Sequence, residues 1–116
     1  MENLLQTLMS DSLVLFTKLH NFHWNIKGLE FLKIHEKTEE LYNHFSENYD
    51  FIAERLLQRG VKPVTNLRQI LELAKIQEDA HSDFTPQYVF TSIAKDFTYL
   101  KEQYSTLANL SENDVT

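Results

Sequence analysis

Histidines and carboxylates at four-residue spacing are the residues of this chain best suited to chemistry. His35 and Glu39 stand four residues apart, as do Asp50 and Glu54, and His23 precedes them just before a glycine-containing turn. Residues four apart share one face of a helix, so each pair can direct its side chains at one cation. Imidazole and carboxylate ligands together suit iron, manganese or zinc. The spacing therefore indicates a metal site.

A single chain cannot bring all of these ligands to one metal ion. His35 and Asp50 fall in one long helical pattern, and fifteen residues of helix separate them by about 22 Å at a rise of ~1.5 Å per residue. An antiparallel hairpin places His23 level with His35. A two-fold dimer whose second helices cross antiparallel then brings Asp50 and Glu54 of one chain to the histidines of the other, which gives two equivalent shared sites.

Each of these residues also has an ordinary structural explanation. Asp50 and Glu54 could lie on a solvated helix face, with Glu54 paired to a neighbour such as Arg55. His35 and Glu39 could form a surface pair. Spacing alone leaves these explanations open.

The remaining aromatic and imidazole residues fit packing roles. His23 stands beside Trp24 on an otherwise apolar helix, where a core histidine held by hydrogen bonds is the simpler explanation. Trp24, the only tryptophan, could be a core or interface residue; beside iron it could take up an oxidising equivalent. Three further histidines have no partner pattern and are interpreted as surface or packing residues: His20, His44 and His81.

Composition limits the class of protein. The 116 residues are 42% hydrophobic and 12% aromatic, which is enough for one folded domain. A formal charge of −6 disfavours non-specific DNA binding. The absence of cysteine excludes thiolate ligands. The start of the chain lacks a signal-peptide pattern, and no apolar run approaches membrane-spanning length, so we expect a cytoplasmic protein without membrane contact.

Apolar periodicity predicts the first two long helices. The first runs from about Asn3 to Lys27 and ends at Gly28 as a C-terminal cap. The second covers residues 30–59 and stops at Gly60. Because the linker between them is short, they should pack as an antiparallel hairpin.

A short helix and a third long helix should follow. Thr65 or Asn66 can cap the short helix, which extends to Lys75, and residues 76–85 form a polar connector. Thr85 and the proline after it then start the third long helix. Its apolar stripe contains Val89 or Phe90, Ile93, Phe97, Leu100, Tyr104 and Leu107.

The local sequences around these residues resemble the Dps family of mini-ferritins, in particular its non-DNA-binding, neutrophil-activating-protein branch. The matching segments are Lys18-Leu-His-Asn-Phe-His-Trp-Asn-Ile-Lys-Gly28 with Phe31, His35-Glu36, Thr38-Glu39-Glu40, Asp50-x-x-Ala-Glu-Arg55 and Gly60-x-x-Pro63. The resemblance covers nearly the whole chain. It implies an all-α, ferritin-like up-down bundle and a single domain over residues 1–116.

The resemblance also implies a function. Members oxidise Fe(II) at a site between two-fold-related subunits, prefer hydrogen peroxide as oxidant, and store ferric mineral in a hollow dodecamer that protects against oxidative stress. His23 and His35 match the ligands from one subunit, and Asp50 and Glu54 match those from its partner, with Glu54 bridging metals. Glu39 matches an auxiliary acidic position. Iron is the expected metal, and zinc could occupy the same ligands.

The chain departs from the family pattern in one respect. A family subunit has a fourth long helix after a connection resembling residues 112–116, and that helix is absent from this sequence. We therefore expect a C-terminally truncated domain with three long helices and a short connecting one, whose apolar faces are partly bare. The alternative function is a helical oligomerisation or binding module that does not store iron.

Overall fold

A computed structural model describes residues 1–28 and 31–112 of the chain. This part of the chain measures 51 × 27 × 20 Å. The expected all-α bundle of three long helices and one short helix is confirmed. The helices are α1 (Glu2–Asn25), α2 (Phe31–Gln58), α3 (Leu67–Leu73) and α4 (Pro86–Glu112).

Helix α1 is the centre of the bundle. It packs along α2 and also contacts α3 and α4, because its apolar residues recur around most of its circumference. The residues that α1 contributes to the core include Leu8, Leu15, Leu19 and Phe22, all with no exposed surface. Helix α2 is apolar on one stripe only, through Ile34, Phe45, Ile52 and Leu56. The opposite face of α2 is thereby left available to another molecule.

The end of α1 differs from the prediction that Gly28 caps it. The helix ends at Asn25, and Ile26 is its extended C-cap. Ile26 forms an isolated parallel bridge with Phe84, and the Lys27 amide donates to the Phe84 carbonyl at 2.9 Å. This pairing with a distant loop satisfies backbone groups that a local cap would otherwise satisfy. Gly28 instead turns the chain, with φ of 115°.

The end of α2 follows the prediction at Gly60. Gly60 has φ of 76°, its amide donates to the Leu57 carbonyl, and the Val61 amide donates to the Leu56 carbonyl. These two bonds form a Schellman motif, which favours glycine because of the left-handed backbone. The predicted first residue of this helix, Glu30, lies outside the described residues.

The last two helices begin at side-chain caps. Asn66 rather than Thr65 caps α3, since its side chain accepts the Gln69 amide at 2.9 Å. Thr85 caps α4 by accepting the Tyr88 amide at 3.2 Å, as predicted. The α4 stripe uses Val89, which is fully buried, and not Phe90, which is 56% exposed.

The connector between α3 and α4 is more firmly anchored than a polar linker would be. Ile76 and Phe84 are both buried in the core. The fully buried carboxylate of Asp11 accepts the amides of Lys75 and Ile76 at 2.7 and 2.9 Å and the Tyr99 hydroxyl at 2.6 Å. The prediction of a simple polar connector missed these apolar anchors, which are isolated in the sequence.

A groove remains open between α2 and α4. It has a volume of about 430 Å³ and is lined by Leu41, His44, Phe45, Phe97, Leu100, Lys101 and Tyr104. These two helices approach each other less closely than either approaches α1. No helix within the described residues is both long and apolar enough to cross a membrane.

Candidate metal centre

The structure brings His23 and His35 together as a reciprocal pair. The Nδ1 atom of His23 lies 2.6 Å from the His35 carbonyl, and the Nδ1 atom of His35 lies 2.8 Å from the His23 carbonyl. The two rings stack with centroids 3.5 Å apart and an interplanar angle of 17°. The antiparallel packing of α1 and α2 around the turn at Gly28 produces this arrangement, as the sequence predicted.

The carbonyl contacts fix the tautomer of both rings. A carbonyl oxygen only accepts, so each Nδ1 carries the proton of its hydrogen bond, and a ring in its neutral form then has its lone pair on Nε2. A neutral imidazole that donates through one nitrogen is oriented to bind a metal through the other. The pair therefore offers two adjacent nitrogen ligands that are held in place by the backbone.

Thr38 further fixes the His23 ring. Its Oγ1 atom lies 3.1 Å from Nδ1 of His23 and donates to the Ile34 carbonyl at 2.7 Å. Thr38 is 1% exposed. The sequence assigned it no role beyond the matching segment Thr38-Glu39-Glu40. A hydroxyl in an otherwise apolar stripe, three residues after His35, is the sequence signal that could have identified it.

Burial keeps His23 neutral. Desolvation lowers the pKa of His23, and the hydrogen bond to the His35 carbonyl and the nearby Glu39 carboxylate oppose this only in part. A neutral imidazole is the form that binds metal, so protons compete less with a cation at this position.

Glu39 lies near the pair, and its role as an auxiliary ligand remains a prediction. It is exposed, acts electrostatically on His23, and has Oε1 3.5 Å from the Tyr42 hydroxyl. Tyr42 in turn contacts the edge of the His23 ring at a centroid distance of 5.2 Å. Phe31 stacks on the outer face of His35 at 5.1 Å. The histidine pair thus has Phe31 and Tyr42 as aromatic neighbours and the Glu39 carboxylate nearby.

Asp50 and Glu54 lie far along α2 from this pair. Both are exposed, and neither forms a hydrogen bond or an ion pair within residues 1–28 and 31–112; Arg55 instead donates to Gln58 at 3.1 Å. No group of three or more His, Asp or Glu residues in that part of the chain could hold a metal ion. The imidazole pair and the two carboxylates are thus separate groups within one subunit.

The other histidines occupy packing or surface positions. His20 stacks on Tyr42 with ring centroids 3.7 Å apart, and His44 packs against its neighbour Phe45. His81 has a partner that the sequence did not indicate, since its Nδ1 lies 2.7 Å from Oδ1 of Asp79.

Comparison with known proteins identifies the family of this chain. The model of the ferritin-like domain matches residues 2–115. A DNA protection during starvation protein of Helicobacter pylori is 36% identical over 111 residues, which cover 96% of this chain and 77% of that protein. The crystal structure of Helicobacter cinaedi CAIP superposes with a TM-score of 0.95 at 33% identity, covering 97% of this chain and 78% of that one. The chain belongs to the Dps family of mini-ferritins.

A Dps structure also connects the fold with a class of metal site. The Dps protein of Vibrio cholerae O1 has a TM-score of 0.91 and 28% identity, covers 97% of this chain and 70% of its own, and is described as a member of the ferritin-like diiron-carboxylate superfamily. The imidazole pair and the carboxylates of this Dps chain are of the residue types from which such a centre can be built.

Proposed function

We propose that this Dps chain oxidises Fe(II) with hydrogen peroxide at a site shared by two subunits and stores the ferric product in a cytoplasmic dodecamer. Residues 1–116 would form one ferritin-like domain of this assembly. The observation that carries it is the reciprocal bonding of His23 and His35, which engages both Nδ1 atoms with backbone carbonyls and leaves the two Nε2 atoms for a metal. A histidine pair held only for packing would have no need to leave both nitrogens unbonded.

The ligand types suit iron as a substrate. His23 and His35 would bind Fe(II) from one subunit, and Asp50 and Glu54 would complete the site from the other, with Glu54 bridging and Glu39 auxiliary. The carboxylates favour the more highly charged Fe(III) product. Two Fe(II) ions give one electron each to peroxide; the O–O bond breaks, and two protons complete two water molecules. Zinc would compete for the same ligands.

The separation of the imidazole pair from the carboxylates supports the shared arrangement. His35 and Asp50 lie on the same continuous helix α2, so the axial rise between them is about 22 Å. Exposed apolar side chains flank both groups, with Trp24 and Leu32 near the histidines and Phe51 and Leu57 beside the carboxylates. Exposed apolar surface of this kind is typical of interfaces.

Peroxide consumption with anaerobically added Fe(II) tests the oxidation. The variant with both His23→Ala and Asp50→Ala should lose the protein-dependent rate. The matched control, His44→Ala with Glu102→Ala, removes one imidazole and one carboxylate from exposed positions and should retain it. A double variant at His23 and Asp50 that still oxidises iron faster than a protein-free solution would contradict the site assignment.

Light scattering coupled to size-exclusion chromatography tests the storage. The proposed storage needs a closed shell, for which the family resemblance implies about a dozen subunits. A dimer that oxidises iron would retain the oxidation site without storage. An oligomer with neither iron binding nor peroxide consumption would favour the alternative, a helical binding module that could associate through the groove between α2 and α4.

DNA binding is not part of the proposal, although the Helicobacter pylori relative is named for DNA protection. The formal charge of −6 opposes contact with phosphates. Removal of iron and peroxide would protect DNA without contact. A gel shift at low salt that shows a stable complex would contradict this exclusion.

A further inference from the structure

Two exposed leucines lie near the two ends of α2. Leu32 is 70% exposed and Leu57 is 60% exposed. A single exposed leucine needs no explanation, so the positions of these two decide whether they have a role. Leu32 stands three residues before His35, and Leu57 stands three residues after Glu54. Because residues three apart are neighbours on a helix surface, each leucine borders one group of proposed ligands.

Each leucine also faces the same way as the ligands that it borders. At about 100° of rotation per residue, Leu57 lies within about 60° of both Asp50 and Glu54 around the axis of α2. Leu32 lies within about 60° of His35 by the same measure. The buried stripe of α2 packs on α1 instead, and both leucines and both carboxylates are exposed. They therefore share a surface of α2 that the described residues leave uncovered, with His35 at its edge.

An antiparallel copy of α2 aligns both groups of ligands at once. His35 and Glu39 are four residues apart, as are Asp50 and Glu54. One alignment therefore places His35 level with the partner's Glu54 and Glu39 level with the partner's Asp50. His35 lies nine residues before position 44, and Glu54 lies nine residues after position 45. The two-fold axis of this alignment thus passes between positions 44 and 45.

The leucines fit the same alignment. Leu32 lies twelve residues before position 44, and Leu57 lies twelve residues after position 45. Any two residues have a midpoint, but the leucines share theirs with both pairs of proposed ligands. The alignment that assembles the metal sites therefore also places Leu32 level with the partner's Leu57. This contact lies at the end of each site that is farther from the two-fold axis.

An apolar contact has a physical purpose on this surface. In the same alignment Glu39 lies level with the partner's Asp50, and two carboxylates repel each other when no cation lies between them. Two leucine pairs, related by the two-fold axis, supply an attraction that does not depend on a bound cation. They also exclude water from beside the ligands, and the lower local dielectric constant strengthens the binding of a cation.

We infer that Leu32 of one subunit packs against Leu57 of the other and that this pair closes one end of each shared site. The inference rests on the proposed function, because the alignment is taken from the proposed ligands. It adds two residues that bind no metal to the site, and it fixes the register of the two α2 helices. The helices must cross at a shallow angle, about 20° from antiparallel, since a steeper crossing would separate their ends.

The absence of cysteine from the 116 residues makes thiol cross-linking a direct test. Leu32→Cys and Leu57→Cys subunits are prepared separately, unfolded, mixed in equal amounts and refolded. Diamide then forms disulfides, and a short bismaleimide in a parallel sample links thiols that lie too far apart for a disulfide. Electrophoresis without reductant measures the covalent dimers. The matched control replaces Leu57→Cys by Leu67→Cys, because Leu67 is a leucine of similar exposure, 69%, on α3.

The expected result is covalent dimers in the mixture of Leu32→Cys with Leu57→Cys. Random pairing makes about half of the dimers mixed, so about half of the chains should be linked. Paired thiols have an effective concentration of about 1 mM, so the linked fraction should not fall when the protein is diluted. Either variant alone, and Leu32→Cys with Leu67→Cys, should form few covalent dimers.

Three results would overturn the inference. The first is an assembly, shown by light scattering, in which the Leu32→Cys and Leu57→Cys mixture forms no cross-link with either reagent. The second is equally rapid linkage of either variant to itself, which would indicate a different register. The third is linkage of Leu57→Cys to Leu67→Cys instead, which would place Leu57 against the pocket between α1 and α3 that Leu67 lines.

Peroxide consumption by the native protein separates this inference from the proposed function. Iron oxidation without cross-linking between positions 32 and 57 would overturn the inference and leave the proposed function intact. Cross-linking together with iron oxidation no faster than in a protein-free solution would overturn the proposed function. The closure of a metal site would then be wrong as well, although the leucine contact itself would stand.

Discussion

Replacement of Thr38 by valine tests whether the support of His23 matters for metal binding. The change removes one hydroxyl from a position that is 1% exposed and keeps the size and the branching of the side chain. His23 then loses the partner at 3.1 Å and retains the His35 carbonyl at 2.6 Å. The experiment therefore isolates the weaker of the two contacts that orient the ring.

These distances set the size of the expected effect. Loss of an outer partner of a metal-binding histidine generally costs about 10–100-fold in affinity. Because the shorter and stronger hydrogen bond remains, we expect a loss near the lower bound, about tenfold, which corresponds to ~1.4 kcal/mol. Removal of the ligand itself in His23→Ala should cost far more, since the site then loses one of its two imidazoles.

Anaerobic isothermal titration with Fe(II), or with Co(II) as a stable probe, measures this difference. Thr98→Val is the matched control, because Thr98 donates to the carbonyl four residues earlier, as Thr38 does, but at an exposed position in α4. If Thr38→Val binds metal as tightly as Thr98→Val, the orientation argument is wrong. If it binds as weakly as His23→Ala, Thr38 has a larger role than the distances indicate.

Three further predictions concern the buried polar groups that hold the bundle together. Asp11→Ala leaves three donors without their acceptor: the buried Ile76 amide and the partly buried Lys75 amide and Tyr99 hydroxyl. It should lower the free energy of unfolding in urea by about 3–5 kcal/mol, since a stranded group costs ~1–3 kcal/mol and the two partly buried groups lie near the lower end; a loss below ~1 kcal/mol would contradict this. Asp96→Ala leaves the Lys18 ammonium, whose side chain is 8% exposed, without its carboxylate and should lower the free energy of unfolding by about 3–5 kcal/mol. The double variant Lys18→Met with Asp96→Leu removes both charges and should be close to native in stability. Equal losses in the single and double variants would show that charge desolvation is not the cause. Burial, followed by the neighbouring Asp11, raises the pKa of Tyr99 in the folded protein. The neutral phenol therefore stabilises the fold fully below the pKa of tyrosine in the unfolded chain, about 10, and this contribution is lost as the pH rises toward the pKa in the folded protein. Tyr99→Phe should flatten the alkaline part of a plot of unfolding free energy against pH, and an unchanged slope would contradict the assignment.

Local sequence patterns were sufficient for the helices but not for all of their ends. Apolar spacing and the signals at Gly60 and Thr85 concern residues close in sequence, and both predictions are confirmed. The end of α1 was predicted wrongly at Gly28 because Ile26 pairs with Phe84, nearly sixty residues later. A local pattern contains no information about such a distant partner.

The same distinction applies to the candidate centre. The hairpin turn fixed the level of His23 relative to His35, so their proximity could be predicted from the sequence. The reciprocal bonds to backbone carbonyls could not, because they depend on the depth and rotation of the α1–α2 packing. Tyr42 was missed for the same reason: its contact with His20 and His23 crosses between the two helices. The role of Asp50 remains a prediction.

The central claim is that two chains complete one site, and mixing two inactive variants tests it most directly. His23→Ala and Asp50→Ala subunits are each made separately, unfolded, mixed in equal amounts and refolded together, and peroxide consumption with Fe(II) is then measured. In a mixed dimer one site contains both substitutions and the other contains none, so random pairing should restore about a quarter of the native sites. Recovery of activity near that level is the predicted result. A mixture that stays as inactive as the two separate variants would show that His23 and Asp50 do not act across a two-fold interface.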